Sequence, residues 1–379
     1  MVRRALWLNR IQQAWSDRTV VWLSGVRRIG KTTLAHMLPD DQVYLNCDLP
    51  SVVRALADPE LFLDGRPPGT VLVFDEIHRL ADPSRLLKIA ADEYPQLRVL
   101  ATGSSTLAAT RKFRDSLAGR KQVVHLCPVL WEECAQPFGV PDLDRRLLHG
   151  GLPEALLTDR TGRGFFSEWV DSFYARDMLE LFAIRNRQGF LALFRLLLRQ
   201  SGGQLDYSKL ASLSELSRPT VRAHIEAMQI AHAVHLVPPF HGGGTREIVR
   251  RPKCYAFDTG FVASEKGWDS IRDDDRGLLW EHLVLDSLRF RYRDEDVFYW
   301  QDKSRREVDF VVRRPRDHVD LFECKIDPER VTTTAMEAFR SLYPRGGNYL
   351  VTPSAKSPYR VRRGDLVITI CSTRSLGGA

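Results

Sequence analysis

The sequence predicts an α/β protein in three parts. These are an N-terminal domain built on a parallel sheet, a central helical region carrying a winged helix-turn-helix, and a smaller C-terminal α/β domain. Three observations predict it. The apolar run Thr19–Ser24 feeds a glycine-rich loop that is followed by helical spacing. A second run, Thr70–Phe74, ends in the paired carboxylates Asp75 and Glu76. Beyond residue 275 an amphipathic helix precedes several short apolar runs, two of which carry acidic residues. Such runs read as strands buried on both faces. With 379 residues the chain has room for two or three domains, at about 150 residues each. Hydrophobic residues make up 44% and charged residues 27%, which excludes a disordered or fibrous chain.

Net charge is +7, and the cations are lopsided, with 45 Arg against 10 Lys. Arginine grips phosphates with a planar fork, so a nucleotide or nucleic-acid partner suits the excess; arginine-rich codon usage explains it equally well. No apolar run approaches the length of a membrane-spanning helix, so no membrane partner is expected. The basic N-terminus has too short an apolar stretch for a signal peptide. A cytoplasmic protein is expected. Six cysteines, Cys47, Cys127, Cys134, Cys254, Cys324 and Cys371, are scattered without a C-x-x-C pair. Neither a zinc site nor a disulfide framework is expected from them.

The loop Gly25-Val-Arg-Arg28-Ile-Gly30-Lys31-Thr32-Thr33 fits G-x-x-x-x-G-K-[ST] with no mismatch, and the helical pattern Leu34, Ala35, Met37, Leu38 follows. Glycines let backbone N–H groups close around phosphates, Lys31 reaches the β- and γ-phosphates, and the Thr32 hydroxyl is offered to Mg²⁺. The start of a helix adds partial positive charge. ATP and Mg²⁺ are the expected cofactors, bound by Gly25, Arg28, Gly30, Lys31, Thr32, Thr33 and Asp75. Asp75 is placed to hold the metal with Thr32, and Glu76 to polarise the attacking water. An acidic helix cap after a core strand explains either carboxylate alone, but not both downstream of a complete phosphate loop.

Gln42–Asn46 reads as another strand, and so does Arg98–Thr102, which ends in Gly103-Ser104-Ser105. Ser104 is the hydroxyl expected to feel the γ-phosphate or the catalytic water; a Gly/Ser turn is the competing reading. Arg120 follows Ser116-Leu-Ala-Gly and precedes the apolar stretch Val123–Leu126. It is the candidate arginine finger, supplied across a subunit interface, or else a solvated surface arginine. The expected catalytic set is Lys31, Glu76, Ser104 and Arg120.

Residues 142–200 carry apolar stripes at helical spacing, Phe165, Phe166, Trp169, Val170, Phe173 and then Phe190, Leu193, Phe194, Leu197, and such stripes read as core. Tyr207–Leu213, a turn at Ser214–Ser217, and Arg218–Met228 then read as a helix-turn-helix, with Leu210, Ala211, Leu216, Val221 and Ile225 interlocking. Ser217 suits the N-cap and Pro219 the first turn. Arg218, Thr220 and Arg222 are left outward, as a recognition helix needs. Val234–Val237, the loop His241-Gly-Gly-Gly-Thr-Arg246, and Arg250-Arg251 before Lys253–Phe257 read as strand, wing and strand. Arg218, Thr220, Arg222, Arg246, Arg250 and Arg251 are the candidate DNA contacts. A protein-docking or lid module is the alternative use of the same scaffold.

In the last third, Gly277–Leu288 is a helix carrying Glu281, and strands follow at Val297–Trp300, Glu307–Val312 and Val319–Lys325. A helical stretch, Ala335–Leu342, and a strand, Asn348–Val351, complete the order. This order resembles the restriction-endonuclease-like fold. The resemblance makes Glu281, Asp309 and Glu323 Mg²⁺ ligands and gives Lys325 the attacking water to position. Glu-x-Lys spacing puts Glu323 and Lys325 on one face of a strand. A structural ion-pair cluster, or a nuclease fold reused without cleavage, fits the same residues.

The series GVRRIGKTTL, VLVFDEIHRL, ATGSS, SLAGR and Pro128–Glu133 resembles prokaryotic AAA-type ATPases whose C-terminal region is a domain of unknown function. Gly150–Glu154, Tyr174–Asp177, Pro252–Gly260 and Arg306–Phe310 extend the resemblance over nearly the whole chain. It implies an oligomer, a hexamer or another ring, with ATP bound at subunit interfaces. The sequence departs from the family pattern at Glu281-His282, where Glu-Asn is usual, and at His78, where a polar amide is common; neither is expected to touch the nucleotide chemistry. The expected division is an ATPase domain at 1–140, a helical lid or linker at 141–188, a winged helix-turn-helix at 189–265 and a nuclease-like domain at 275–379. The expected activity is Mg²⁺-dependent ATP hydrolysis coupled to DNA binding and to remodelling or unwinding, possibly of branched DNA. A nucleotide-controlled regulatory or defence switch that docks a protein, and an ATP-gated nuclease, are the alternatives.

Overall fold

β-Branched and aromatic residues concentrate in five short runs of the first 125 residues, and each is a strand. They are β1 (Val20–Ser24), β2 (Val43–Asn46), β3 (Val71–Asp75), β4 (Arg98–Thr102) and β5 (Lys121–His125). All pair in parallel, in the order β2-β3-β4-β1-β5. Every residue of β1 and β3 is buried, which is why these strands read as continuous apolar runs rather than as alternating ones. The helix Pro83–Glu93 buries Leu86, Leu87 and Ala90 in the same core as Trp22, Leu72, Phe74 and Val99. Trp22 meets Phe113 edge to face at 4.9 Å between ring centres. In a parallel sheet all carboxyl ends share one edge, where ligands bind. Here that edge collects the loop after Ser24, the β3 end at Asp75 and the β4 end at Thr102.

The computed structural model describes residues 2–38, 41–103, 111–158, 162–242 and 251–376. The chain packs as two units. The first comprises Met1–Cys127 together with two later returns of the chain, Asp171–Ala183 and Ile230–Ala233. The second comprises Pro128–Val170, Ile184–Gln229 and Val234–Ala379.

In the second unit, the helices Tyr207–Ser214 and Arg218–Ile230 stand on either side of the turn at Glu215, whose left-handed φ of 55° ends the first. Asp206 caps the first helix by accepting the Ser208 and Lys209 N–H groups at 3.0 Å. Ser217 Oγ accepts the Thr220 N–H at 3.2 Å, at the start of the second. Leu210, Ala211, Val221 and Ile225 are buried and Leu216 is half-buried. A small antiparallel sheet, β6 (Gly203–Gln204), β7 (Val234–Val237) and β8 (Lys253–Ala256), has the order β6-β8-β7.

Six further strands form the last sheet: β9 (Val297–Gln301), β10 (Glu307–Arg314), β11 (His318–Cys324), β12 (Asn348–Val351), β13 (Tyr359–Arg363) and β14 (Leu366–Cys371). Their order is β13-β14-β12-β11-β10-β9, with β11, β12 and β14 parallel and the rest antiparallel. The helix Thr334–Leu342 buries Met336 and Phe339 against Val308, Leu321, Leu350 and Ile368. The hairpin β13–β14 goes beyond the strands read from the sequence: β13, Tyr-Arg-Val-Arg-Arg, is polar and sits at the sheet edge, and β14 is an apolar inner strand between β13 and β12. Among the described residues no helix is long and apolar enough to cross a membrane. All six cysteines are buried and none is in a disulfide.

Leu72 lies at the centre of β3 with no exposed surface. Leu72→Ala is expected to destabilise the first unit by about 2–5 kcal/mol, read as a lower urea midpoint. An unchanged midpoint would show that the β3 core is not what holds this sheet.

Candidate nucleotide site

The loop after β1 depends on backbone angles that side chains avoid. Gly25 has φ 147° and Gly30 φ 98°, and a Cβ on Gly25 would stand 2.8 Å from the Leu126 carbonyl oxygen. The helix Lys31–Ala35 starts directly after Gly30, so the free N–H groups of its first turn belong to the loop. Lys31 Nζ donates to the carbonyl oxygens of Gly25 at 2.9 Å and Val26 at 3.1 Å. Burial pulls this ammonium below its usual range, while Glu76, Asp177 and Asp75 oppose the shift. A phosphate would exchange those two neutral acceptors for a charged one.

Asp75 is buried at the end of β3 and accepts three hydroxyl hydrogen bonds, from Thr32 at 2.9 Å, Tyr44 at 2.6 Å and Thr102. The next residue, Glu76, turns into a left-handed φ of 54°, and its N–H donates to Thr102 Oγ1 at 3.1 Å. Its carboxylate lies 3.1 Å from His78 Nδ1. That hydrogen bond holds Glu76 below the usual carboxylate range, against the opposing effect of burial.

Thr32 and Asp75 supply one hydroxyl and one carboxylate at the mouth of the loop. This donor set suits Mg²⁺, a cation that keeps several waters and takes its other ligands from phosphates. Thr32 and Asp75 would hold it, and the ion would neutralise charge on the β- and γ-phosphate oxygens.

Gly25, Lys31 and Glu76 line a cleft of about 400 Å³, together with residues the sequence did not single out; Thr32 and Asp75 are not on its lining. Arg27, not Arg28, is on the lining; Arg28 takes a left-handed φ of 59° in the loop. Asp177 and Arg176 line it too, carried on a π-helical stretch, Tyr174–Leu179. Arg27 Nε donates to Asp177 Oδ2 at 2.9 Å. His78, expected to stay clear of the nucleotide chemistry, instead touches Glu76 and lines the cleft. Thr33 is exposed on the helix after the loop. Ser104 lies outside the described residues; the Thr102 hydroxyl bonds the Asp75 carboxylate and the Glu76 N–H. Arg120 is not on the lining and pairs with Asp92 at 2.6 Å.

The expected C-terminal constellation is also brought together. Lys325 Nζ lies 3.1 Å from Glu323 and 3.6 Å from Asp309, and the Asp309 carboxylate accepts the Cys324 N–H at 2.8 Å. Glu281 differs from expectation. Strand β8 delivers Lys253 to it at 3.2 Å and to Glu307 at 2.6 Å, and the Tyr255 hydroxyl also donates to Glu281. Among the described residues no three His, Cys, Asp or Glu side chains are grouped to hold a metal ion. Lys253 occupies the cation position at Glu281, so the three carboxylates do not stand as one set, and Asp309 and Glu323 with Lys325 are what remains of the expected constellation. Burial raises Glu281 to about 7 and Glu323 to about 8. One Glu323 oxygen, Oε1, is buried with no hydrogen-bond partner. Among the candidate DNA contacts, Arg218 and Arg222 are exposed and Thr220 is half-buried. Arg222 lies over the Tyr207 ring at 4.8 Å. Arg251 is tied to Asp206, while Arg246 and Arg250 lie outside the described residues.

Thr102→Val removes one hydroxyl and keeps the shape. Its loss leaves Asp75 short of a donor and the Glu76 N–H without an acceptor. Turnover of ATP is expected to fall about 10- to 100-fold, with nucleotide affinity nearly unchanged. Phosphate release and a fluorescent-nucleotide titration measure the two; equal turnover would reduce Thr102 to a packing role.

Comparison with known proteins agrees with this geometry at the N-terminus. Residues 17–135 match the family model described as an AAA domain. Residues 140–272 and 276–373 match two models described as domains of unknown function, DUF8612 and DUF4143. The uncharacterized protein Rv2008c of Mycobacterium tuberculosis is 27% identical over 313 residues, covering 80% of this chain and 69% of its own. The uncharacterized protein MJ1544 of Methanocaldococcus jannaschii is 23% identical over 322 residues, covering 76% and 70%. Among solved structures, the Walker-type ATPase paby2304 of Pyrococcus abyssi aligns with a TM-score of 0.43 and 13% identity, covering 70% of this chain and 96% of that one. Phosphate loop, acidic strand end, parallel sheet and matched family model together identify the N-terminal part of this chain as an AAA-type P-loop ATPase domain.

Proposed function

We propose that the chain is an oligomeric, Mg²⁺-dependent ATPase of the cytoplasm that couples hydrolysis to binding and remodelling of DNA. The observation that carries the DNA part is the helix Arg218–Ile230. Val221, Ile225 and Met228 are turned inward while Arg218 and Arg222 stay exposed, on the same chain as a complete nucleotide cleft. In this reading residues 1–140 are the ATPase domain, 141–188 a helical lid, 189–265 a winged helix-turn-helix and 275–379 a nuclease-like domain. Lys31 and Thr32 hold ATP with its metal, and Glu76 orients the attacking water. Arg120 from a neighbouring subunit, in a hexamer or other ring, meets the transition-state charge. Its pairing with Asp92 is a partly exposed ion pair, of the kind that exchanges partners at little cost.

ATP hydrolysis measured with single-stranded, duplex, forked and four-way DNA tests this directly. DNA is expected to raise the rate, and Glu76→Gln to lower it by about 10²- to 10⁴-fold. Indifference to every DNA form would favour the protein-docking switch. Without the His78 hydrogen bond the Glu76 carboxylate rises, so His78→Ala is expected to move the acid limb of the turnover profile to higher pH. DNA affinity is expected to fall steeply with salt, and charge reversal at Arg218 and Arg222 should weaken it more than reversal at Arg293 and Arg330. Equal losses would remove the recognition helix from the reading.

The unpartnered Glu323 oxygen, beside Asp309 and Lys325, favours a second reading in which the C-terminal domain cuts DNA. Nicking of plasmid with Mg²⁺ or Mn²⁺, lost in Asp309→Ala, is its expected signature. Cleavage that survives Asp309→Ala would assign it elsewhere.

A further inference from the structure

We propose that Arg27 and Asp177 form a charge latch that distinguishes the triphosphate from the diphosphate state of the bound nucleotide. The proposal rests on the P-loop site and is independent of DNA. Four cationic side chains line the cleft, Arg27, Lys31, Arg79 and Arg176, and they meet four carboxylates, Asp48, Glu76, Asp177 and Glu180. Two of these pairs are made directly: Arg79 with Asp48 at 2.8 Å and Arg27 with Asp177 at 2.9 Å. The cleft thus holds a nearly balanced set of charges of its own.

Position separates the two pairs. Arg79 and Asp48 are about half-exposed, whereas the Asp177 side chain is 17% exposed and has Arg27, Lys31 and Glu76 as its electrostatic neighbours. Lys31 reaches the β- and γ-phosphates, and Glu76 faces the water that attacks the terminal one. The pair therefore stands at the terminal phosphate. A γ-phosphate has the charge and the oxygens to take the Arg27 guanidinium. Asp177 then loses its counter-charge beside a new negative group, and like charges at that spacing repel. Burial already disfavours the ionised form of Asp177, raising it to about 6. A diphosphate ends one group short and leaves the pair closed.

Asp177 also sits where the backbone can respond. It lies inside the π-helical stretch Tyr174–Leu179, between the helix Arg163–Phe173 and the helical turn Glu180–Phe182. π-turns are rare and recur at functional sites. Return of one residue to α-helical spacing would rotate Asp177 off the cleft, so the released carboxylate has a route away from the phosphate.

The test compares ATPγS and ADP affinities of the full chain by fluorescent-nucleotide competition, in wild type, Asp177→Asn, Arg27→Ala and the double variant, with Arg27→Lys as the milder change. Asp177→Asn keeps a hydrogen-bonding amide without the charge. It is expected to tighten ATPγS by about 5- to 100-fold and to leave ADP nearly unchanged. Arg27→Ala is expected to weaken ATPγS selectively, and Asp177→Asn should have no effect on that background. Equal effects on both nucleotides, or a fall in turnover with both affinities unchanged, overturn the latch. Wild-type protein that binds neither nucleotide would instead overturn the P-loop reading beneath it.

Discussion

A carboxylate buried at the end of a strand must be given donors, and in this chain that requirement ties together three parts of the first sheet. Asp75 takes hydroxyls from Thr32 after the phosphate loop, Tyr44 on β2 and Thr102 on β4. Hydrogen bonds to a charged group each contribute about 1.5–3 kcal/mol, and an unmet one costs the full desolvation of the group. The strand order β2-β3-β4-β1 makes the set possible. β2 and β4 flank β3 and deliver Tyr44 and Thr102, while β1, one strand further, delivers the loop. Thr102 also receives the Glu76 N–H. The group that would hold the metal and the group that would orient water are thus fixed through one hydroxyl, before any nucleotide is present. Catalysis of phosphoryl transfer is mostly positioning and electrostatics, and the positioning is already in the fold.

What could be read from sequence, and what could not, follows range of interaction. The loop Gly25–Thr32 and the strand ending Asp75-Glu76 are local patterns, so their elements and their juxtaposition were legible. So was the helix pair at 207–230, with its cap at Ser217 and the inward residues Leu210, Val221 and Ile225 at helical spacing. Thr102 reads from the sequence only as the end of a strand. Only the sheet register shows that Thr102 faces Asp75. Tyr44 was read merely as a strand residue for the same reason. Asp177 lies 150 residues from its partner Arg27, and nothing in local spacing signals a π-turn. The Tyr174–Asp177 patch carried the family resemblance without a reason; its contact with the phosphate loop supplies one.

The C-terminal constellation shows a different limit. Helix, strand and Glu-x-Lys order correctly gathered Glu281, Asp309, Glu323 and Lys325. The cation that takes Glu281, however, comes from β8, outside that order. A lysine 6% exposed between two glutamates is costly to desolvate and repays it only with close partners. Removing the lysine would leave Glu281 buried without its cation, so Lys253, Glu281 and Glu307 hold β8 against β10 and the helix Asp273–Arg291. Acidic residues in a nuclease-like order can thus be recruited to structure, and only the neighbours tell the two uses apart.

Both clusters pair their own charges, yet burial separates what each pair can do. Arg27 is 33% exposed and its partner Asp177 is 17% exposed, so water can help the guanidinium change partners when a phosphate competes. Lys253 and Glu281 are 6% and 13% exposed, and no solvated intermediate eases their separation. Lys325 resembles Arg27, at 35% exposed against a nearly buried Glu323. The exposed member of a pair is the one that can answer a ligand; the enclosed one answers only to the fold. On this ground Arg27 and Lys325 are the cations poised to exchange partners, while Lys253, held between Glu281 and Glu307, stays part of the framework.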